Sequence, residues 1–184
     1  MSYRSLSTFL ALALAATAVT GSALSAQQPA APAPNSIHAA LTADVTTLSD
    51  KFSGLARVMA GKYDWRPAQG IRSVGEVLNL IVTENNMLAS LLSGTQQGRG
   101  GGMGRGPAIT DAAALQDALK TSYAAVSKAL SGLSADDLNA PVTLFGRNTT
   151  KQGAVLMLLI DQHEHLGQSI AYARSNGVVP PWSK

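Results

Sequence analysis

An aspartate and two histidines fall within the five residues DQHEH, positions 161 to 165. On a helix, Asp161 and His165 are four residues apart and lie on one face, so a carboxylate oxygen and an imidazole nitrogen can bind the same divalent metal ion. A simpler interpretation is a hydrogen-bonded or ionic contact that satisfies both polar groups. His163 points about 200° away from His165 around the helix and is expected to face solvent.

Other kinds of chemistry have less support in the composition. The chain has no cysteine, no Gly-x-Ser-x-Gly segment and no serine whose sequence context suggests pairing with a histidine, so nucleophilic catalysis is not indicated. Its formal net charge is only +3, and it has few aromatic side chains for stacking on bases. Nucleic acid is therefore not an expected partner. His38, near the start of the first predicted helix, is expected to be a surface residue rather than a ligand.

The N-terminal residues 1–26 have the pattern of a secretory signal peptide. Arg4 precedes an apolar run from Phe9 to Val19, and small residues follow, which predicts cleavage after Ser25 or Ala26. The apolar run is well short of the roughly 20 residues that a membrane-spanning helix needs. We therefore expect an exported protein, periplasmic or secreted, with no integral membrane span.

The folded domain is predicted to follow a short tether. Residues 27–35 are rich in proline and alanine, which indicates an extended linker. From residue 36 to residue 184 the apolar residues recur at steps of three and four, the helical period, and no segment suggests a strand. The sequence predicts four amphipathic helices: Ile37 to Met59 with Ser36 as N-cap, Ser73 to Leu91 with a Ser73/Glu76 capping box, Thr110 to Leu133, and Lys151 to Ser175.

The connections between these helices suggest their order. A short turn joins the first two helices, which we expect to be antiparallel neighbours. Residues 94–109 are rich in glycine but lack the preceding strand and the Gly-Lys-Ser/Thr ending of a phosphate-binding loop, so we interpret them as a flexible connection. Such a connection is long enough to run the length of a bundle. The sequence thus predicts an all-α, up-down-down-up four-helix bundle.

The segment 134–148 is predicted to be a loop held by two apolar anchors, Leu144 and Phe145. It ends in Asn148-Thr149-Thr150, which matches a glycosylation acceptor. A threonine that caps the fourth helix explains the same residues, and we favour that interpretation.

Three short motifs resemble the DinB-like superfamily of bacterial four-helix bundles. They are Ser-x-Gly-Glu-x-Leu at 73–78, His-x-Gly-Gln at 165–168 and Tyr-x-Arg-x-Asn-Gly at 172–177. The resemblance covers the chain from about residue 37 to residue 183 and implies an up-down-down-up bundle that often forms dimers. Gln168 and Tyr172 belong to these motifs, and helix-packing contacts explain them equally well.

The resemblance also implies a metal site made of three histidines, one on the second helix and two on the fourth. Their positions in this chain are held by Leu80, Asp161 and His165. Leucine cannot bind a metal, whereas aspartate can. Glu84, one turn after Leu80, would complete a set suited to iron, manganese or zinc if it lay at the same depth of the bundle.

Two functions follow from this substitution pattern. The favoured hypothesis is an exported DinB-like bundle with a degraded three-histidine site and no tightly bound metal, acting as a binding or structural module. The alternative is a divalent-metal-dependent hydrolase or thiol transferase that uses Asp161 and His165 to hold zinc, nickel, manganese or iron. A small-molecule ligand and a homodimer are expected partners, and the substrate is not indicated by the residues.

Overall fold

The structure, a computed structural model, describes residues 36–95 and 107–183. The predicted signal peptide (1–26) and the linker (27–35) lie outside the described residues, as does most of the glycine-rich connection. Within the described part, no helix combines the length and the apolar character needed to cross a membrane.

Helices dominate the described residues, which confirms the prediction of an all-α bundle. The long helices α1, α2, α3 and α5 correspond to the four predicted ones, and a short helix α4 was not predicted. A single 3-10 turn, Ala60–Lys62, follows α1. The bounds are α1 Ile37–Val58, α2 Val74–Leu92, α3 Ala112–Ser131, α4 Ala135–Asn139 and α5 Lys151–Ser175.

Each long helix packs against two others: α3 and α5 both lie against α1 and against α2. Because α1 and α2 share both neighbours, they lie on opposite sides of the bundle, and the prediction that they pack side by side is wrong. The connection at residues 59–73 is long enough to cross the end of a bundle. It is fixed there by Tyr63, whose hydroxyl donates to Ala56 O and whose carbonyl accepts from Gly75 N, both at 2.8 Å.

Helices α2 and α5 run in opposite directions. Lys151 Nζ, at the start of α5, donates to Leu92 O at the end of α2, at 2.9 Å. Near the other end of α5, the Tyr172 hydroxyl donates to Arg72 O, just before α2, at 3.1 Å. The two helices are therefore aligned over most of their length.

The start of α1 lies beside the end of α3. His38 Nε2 donates to Leu130 O at 2.8 Å, so these two helices also run in opposite directions. His38 is half-buried by this contact and is not the simple surface residue that we expected. The two antiparallel pairs, α2 with α5 and α1 with α3, are consistent with the predicted up-down-down-up order.

The core lies between the four long helices and follows the predicted helical periodicity. Phe52 of α1 stacks on Tyr123 of α3, with ring centroids 6.4 Å apart. Burial of such side chains is the main contribution to the stability of the bundle. The largest fully buried residues are Tyr123, Phe52, Leu48, Leu55, Met59, Leu78, Ile81, Leu88, Leu92, Leu115, Leu119 and Leu130.

A β-hairpin before α5 replaces the predicted loop. Strands β1 (Pro141–Leu144) and β2 (Arg147–Thr150) pair antiparallel. The turn residues Phe145 and Gly146 both have positive φ, 50° and 74°, which is the backbone of a tight two-residue hairpin turn. This geometry buries Leu144, as predicted, but leaves Phe145 55% exposed, so Phe145 is not an anchor. Thr150 caps α5 by accepting from Gly153 N, as predicted.

The predicted capping box fixes the start of α2. Ser73 Oγ accepts from Glu76 N at 3.2 Å, and Glu76 Oε2 accepts from Ser73 N at 2.6 Å. This bond to the backbone lowers the pKa of the Glu76 carboxyl. The Ser73 hydroxyl and the Glu76 carboxylate thus accept from backbone amide groups for which the helix itself provides no acceptors.

Replacing Ser73 with alanine is therefore expected to lower the free energy of unfolding by about 1 kcal/mol. Urea unfolding followed by circular dichroism measures this change. Ser93→Ala is the matched control, because the Ser93 hydroxyl donates to Ala89 O at the other end of α2 and caps no amide. An equal loss in both variants would contradict the assigned role of the cap.

Candidate metal centre

Helices α2 and α5 bring together three side chains that could bind a metal. One ligand atom from each of Glu84, Asp161 and His165 lies within 4.8 Å of the other two. The predicted pair is in contact, with His165 Nε2 3.6 Å from Asp161 Oδ2. Glu84 on α2 lies at the same depth of the bundle as Asp161 and His165 on α5. This position depends on how α2 is aligned with α5.

Glu84 is a buried carboxyl group that its surroundings do not fully satisfy. The residue is 4% exposed, and its Oε2 atom has no hydrogen-bond partner among the described residues. Burial, followed by the hydrogen bond and the charge of Asp161, raises the pKa of Glu84 to about 8 against the opposing effect of Arg72. A buried carboxyl group in this position needs either a proton or a cation.

The group opens to solvent on one side. The side chain of Asp161 is 44% exposed, whereas that of His165 is only 16% exposed. Glu84 thus forms the closed inner side of the group, and Asp161 forms the open edge. A metal ion or a small ligand can approach from the Asp161 side.

A chain of hydrogen bonds holds the ring of His165. Gln168 Nε2 donates to the Tyr172 hydroxyl at 2.7 Å, so the amide oxygen of Gln168 faces His165 Nδ1 at 2.9 Å. An amide oxygen can only accept, and therefore His165 Nδ1 carries a proton, which leaves Nε2 as the ring nitrogen available to a metal ion. Nε2 is the atom that faces Asp161, which is the orientation that metal binding requires.

The same chain is anchored on the segment before α2. The Tyr172 hydroxyl donates to Arg72 O, and Trp65 packs edge-on against the Tyr172 ring with centroids 5.2 Å apart. Sequence reasoning placed Gln168 and Tyr172 in a family motif and left their role open. The structure places both behind the histidine, and the supporting contacts of Trp65 and Arg72 were not anticipated.

Two other residues considered from the sequence stand apart from the group. Leu80, the position that the resemblance assigns to a third histidine, is buried and can offer no ligand atom. His163 is exposed, as expected, and its Nε2 lies 2.9 Å from both carboxylate oxygens of Asp44 on α1. Because its ring contacts Asp44, His163 is not part of the candidate centre.

The three side chains fit a divalent metal ion by their chemistry. Two carboxylates and one imidazole suit manganese, iron or zinc. Glu84 Oε2, which has no hydrogen-bond partner among the residues that the structure describes, and His165 Nε2 are atoms that such an ion would satisfy. The arrangement equally allows protonated Glu84 to donate a hydrogen bond to Asp161 when no ion is bound.

Comparison with known proteins places this geometry in a family. Residues 45–169 match the model of the DinB superfamily. No curated protein matches the chain in sequence. The fold is similar to that of a DinB-like protein from Bacillus subtilis, with 18% identity, a TM-score of 0.60 and coverage of 75% of this chain and 92% of that one. It is also similar to a DinB-like protein from Bacillus cereus, with 21% identity, a TM-score of 0.61 and coverage of 80% and 95%. With a bundle of this fold and a family match over most of the domain, the chain belongs to the DinB superfamily.

Proposed function

We propose that the protein binds a divalent metal ion through Glu84, Asp161 and His165. The observation that carries this proposal is the buried Glu84 Oε2, which lacks a hydrogen-bond partner in the described part of the chain and belongs to a group with a second carboxylate and an imidazole. The carboxylate at position 84 supplies the ligand that Leu80 cannot. The centre is thus a substituted form of a three-ligand site and retains the capacity to bind.

The residues of the chain have distinct roles in this centre. Glu84 and Asp161 offset the charge of the ion, and Gln168 keeps the His165 lone pair directed at it. The open Asp161 edge admits a small ligand. A bound divalent ion supplies Lewis acidity and a water molecule of lowered pKa.

These properties support a metal-dependent hydrolytic reaction on a small molecule as the activity. The N-terminal sequence, residues 1–26, supports export to the periplasm or the cell exterior as part of the proposal. The thiol cofactors that some members of the superfamily use are cytoplasmic, so export favours hydrolysis over thiol transfer as the reaction class.

Metal binding is tested on the mature domain without an affinity tag. Manganese, iron, zinc and nickel are titrated while thermal unfolding is recorded. At a metal concentration of one hundred times Kd, the expected stabilisation is about 2.7 kcal/mol. His165→Ala should lose this stabilisation, and His163→Ala, a change of the same type two residues away on the exposed face, should keep it. The absence of stabilisation by any of the metals, or an equal effect in His165→Ala, would refute the proposal.

Gln168→Leu is expected to weaken metal binding by about 10- to 100-fold without unfolding the protein, because the His165 ring loses the acceptor for its Nδ1 proton. Isothermal titration calorimetry with manganese or zinc measures the change. Gln152→Leu, at the start of the same helix and away from the centre, is the control and should bind as the wild type does. Unchanged affinity in Gln168→Leu would show that the hydrogen-bond chain does not support the ligand.

The hypothesis of a metal-free binding or structural module is the second candidate. It is favoured by the pKa of Glu84, since a carboxyl group with a pKa of about 8 can stay protonated at neutral pH and donate to Asp161. The metal titration separates the two functions. Homodimer formation stays a prediction from the resemblance.

A further inference from the structure

A cluster of four polar side chains lies inside the apolar core, between α2, α3 and α5. Each of its members, Asn85, Ser122, Tyr123 and Gln162, is 1% exposed. Gln162 Nε2 donates to Asn85 Oδ1 at 2.9 Å, and the Tyr123 hydroxyl donates to Gln162 Oε1 at 3.0 Å. Asn85 Nδ2 donates to Ser122 Oγ at 3.1 Å. The two side-chain amides are thus linked to each other and to α3.

Such a cluster adds little to stability in comparison with an apolar core. Buried amides lose their contacts with water, and their mutual hydrogen bonds roughly offset that loss. Apolar residues of the same shape would serve the core about equally well. What a buried polar pair adds is a preference for one alignment of the helices, since any other alignment leaves its groups without partners.

The alignment that this pair selects is the one that assembles the candidate metal centre. Asn85 directly follows Glu84 on α2, and Gln162 directly follows Asp161 on α5. A shift of one residue along a helix turns each side chain by about 100° and moves it by about 1.5 Å. Such a shift would separate Glu84 from Asp161 and His165, and it would also break the bond between Asn85 and Gln162.

Apart from the contact between the ligand side chains Glu84 and Asp161, the other hydrogen bonds among the described residues that join α2 and its approach to α5 lie far from the middle of the helices. Lys151 contacts Leu92 O at one end, and Tyr172 contacts Arg72 O at the other. Among the hydrogen bonds of the described residues that involve no ligand side chain, the one between Asn85 and Gln162 links α2 and α5 beside the three ligand atoms. Within residues 36–95 and 107–183, Glu84 Oε2 has no hydrogen-bond partner to hold it, so the position of this atom depends on the placement of α2.

We propose that Asn85 and Gln162 are positioning residues of the metal centre, whose hydrogen bond fixes the alignment of α2 with α5 and thereby the separation of Glu84 from Asp161 and His165. The effect of Asn85 and Gln162 on metal binding rests on the proposed function. The alignment itself can be measured without a metal.

The first experiment separates positioning from stability. The double variant Asn85→Leu/Gln162→Met replaces both amides with apolar side chains of similar size, so the protein is expected to stay folded, with Tm lowered because the buried Tyr123 hydroxyl loses its acceptor. Its Kd for manganese should rise by about 10- to 100-fold, the range found for residues that support metal ligands. Asn79→Leu is the matched control, because Asn79 is on the same helix but its amide bonds Ile109, before α3. The control should keep the wild-type Kd, even if its Tm falls.

The second experiment reads the alignment directly. The chain has no cysteine, so Glu84→Cys/Asp161→Cys creates a unique thiol pair. A short bifunctional thiol reagent should bridge this pair readily in the otherwise native chain and in the Asn79→Leu background, and several-fold more slowly in the Asn85→Leu/Gln162→Met background.

Equal bridging rates in all three backgrounds would overturn the positioning role, as would an unchanged manganese Kd in a folded double variant of a metal-binding wild type. Slower bridging, in a protein whose wild type binds no metal, would support the positioning role and refute only the proposed function. The two failures are therefore distinguishable.

Discussion

Glu84→Gln should raise the free energy of unfolding of the metal-free protein at pH 8 by several kcal/mol. The folded protein holds the Glu84 proton up to a pKa of about 8, whereas the ordinary value is 4.5. Between these two values the folded state binds one proton more than the unfolded state, so stability falls as pH rises. The stabilisation from protonated Glu84 is complete below pH 4.5 and is lost as pH rises through about 8. The total change is on the order of 5 kcal/mol.

Glutamine at position 84 keeps the shape of the protonated carboxyl group and cannot ionise. The variant should therefore lose most of the decline in stability between pH 5 and pH 8. Urea unfolding at several pH values, with a chelator present, measures both proteins. Glu164→Gln, an exposed glutamate on α5, is the control and should follow the wild type. An unaltered decline in the Glu84→Gln protein would show that Glu84 ionises freely and that its carboxyl group is not held in a desolvated site.

A second large effect is expected when the histidine set implied by the resemblance is restored. Leu80→His/Asp161→His places imidazoles at the two substituted positions, while His165 keeps its contact with Gln168. Imidazole favours zinc and nickel, whereas carboxylates favour manganese. The affinity for zinc should increase by about tenfold or more, equivalent to at least 1.4 kcal/mol, and the relative affinity for manganese should fall.

Isothermal titration calorimetry of both metals, with the wild type in parallel, tests this change of preference. Leu80→Asn/Asp161→His is the control, because asparagine matches leucine in shape and brings a polar group to position 80 without an imidazole. If the two variants bind zinc with equal affinity, position 80 does not face the centre. Glu84 is then not a replacement for a histidine at position 80.

The helices of this bundle could be predicted from local sequence, because the residues that define them are neighbours along the chain. The capping residues Ser73 and Thr150 were found for the same reason, as was the contact between Asp161 and His165, whose spacing fixes it within one helix. Hairpin strands of only four residues gave no comparable signal. Phe145 was misjudged because its apolar character suggested burial, while the turn that exposes it depends on backbone geometry.

The position of Glu84 depends on how two helices distant in sequence are aligned. Periodicity gives the face on which a side chain lies but not its depth relative to another helix. For that reason the loss of a histidine at Leu80 argued for a degraded site, while the carboxylate one turn later could not be placed. The same limit explains why α1 and α2 were expected to be neighbours although they lie on opposite sides of the bundle.

The packing of Trp65 against Tyr172 gives the protein an intrinsic spectroscopic probe. The chain has two tryptophans, and the other, Trp182, lies near the C-terminus with Lys51 Nζ 5.8 Å from its ring centroid. Trp182→Phe leaves Trp65 as the single indole fluorophore, in contact with the tyrosine that Gln168 connects to His165. The emission of this variant then follows events at the centre without an attached dye, and a paramagnetic ion such as manganese would register as quenching.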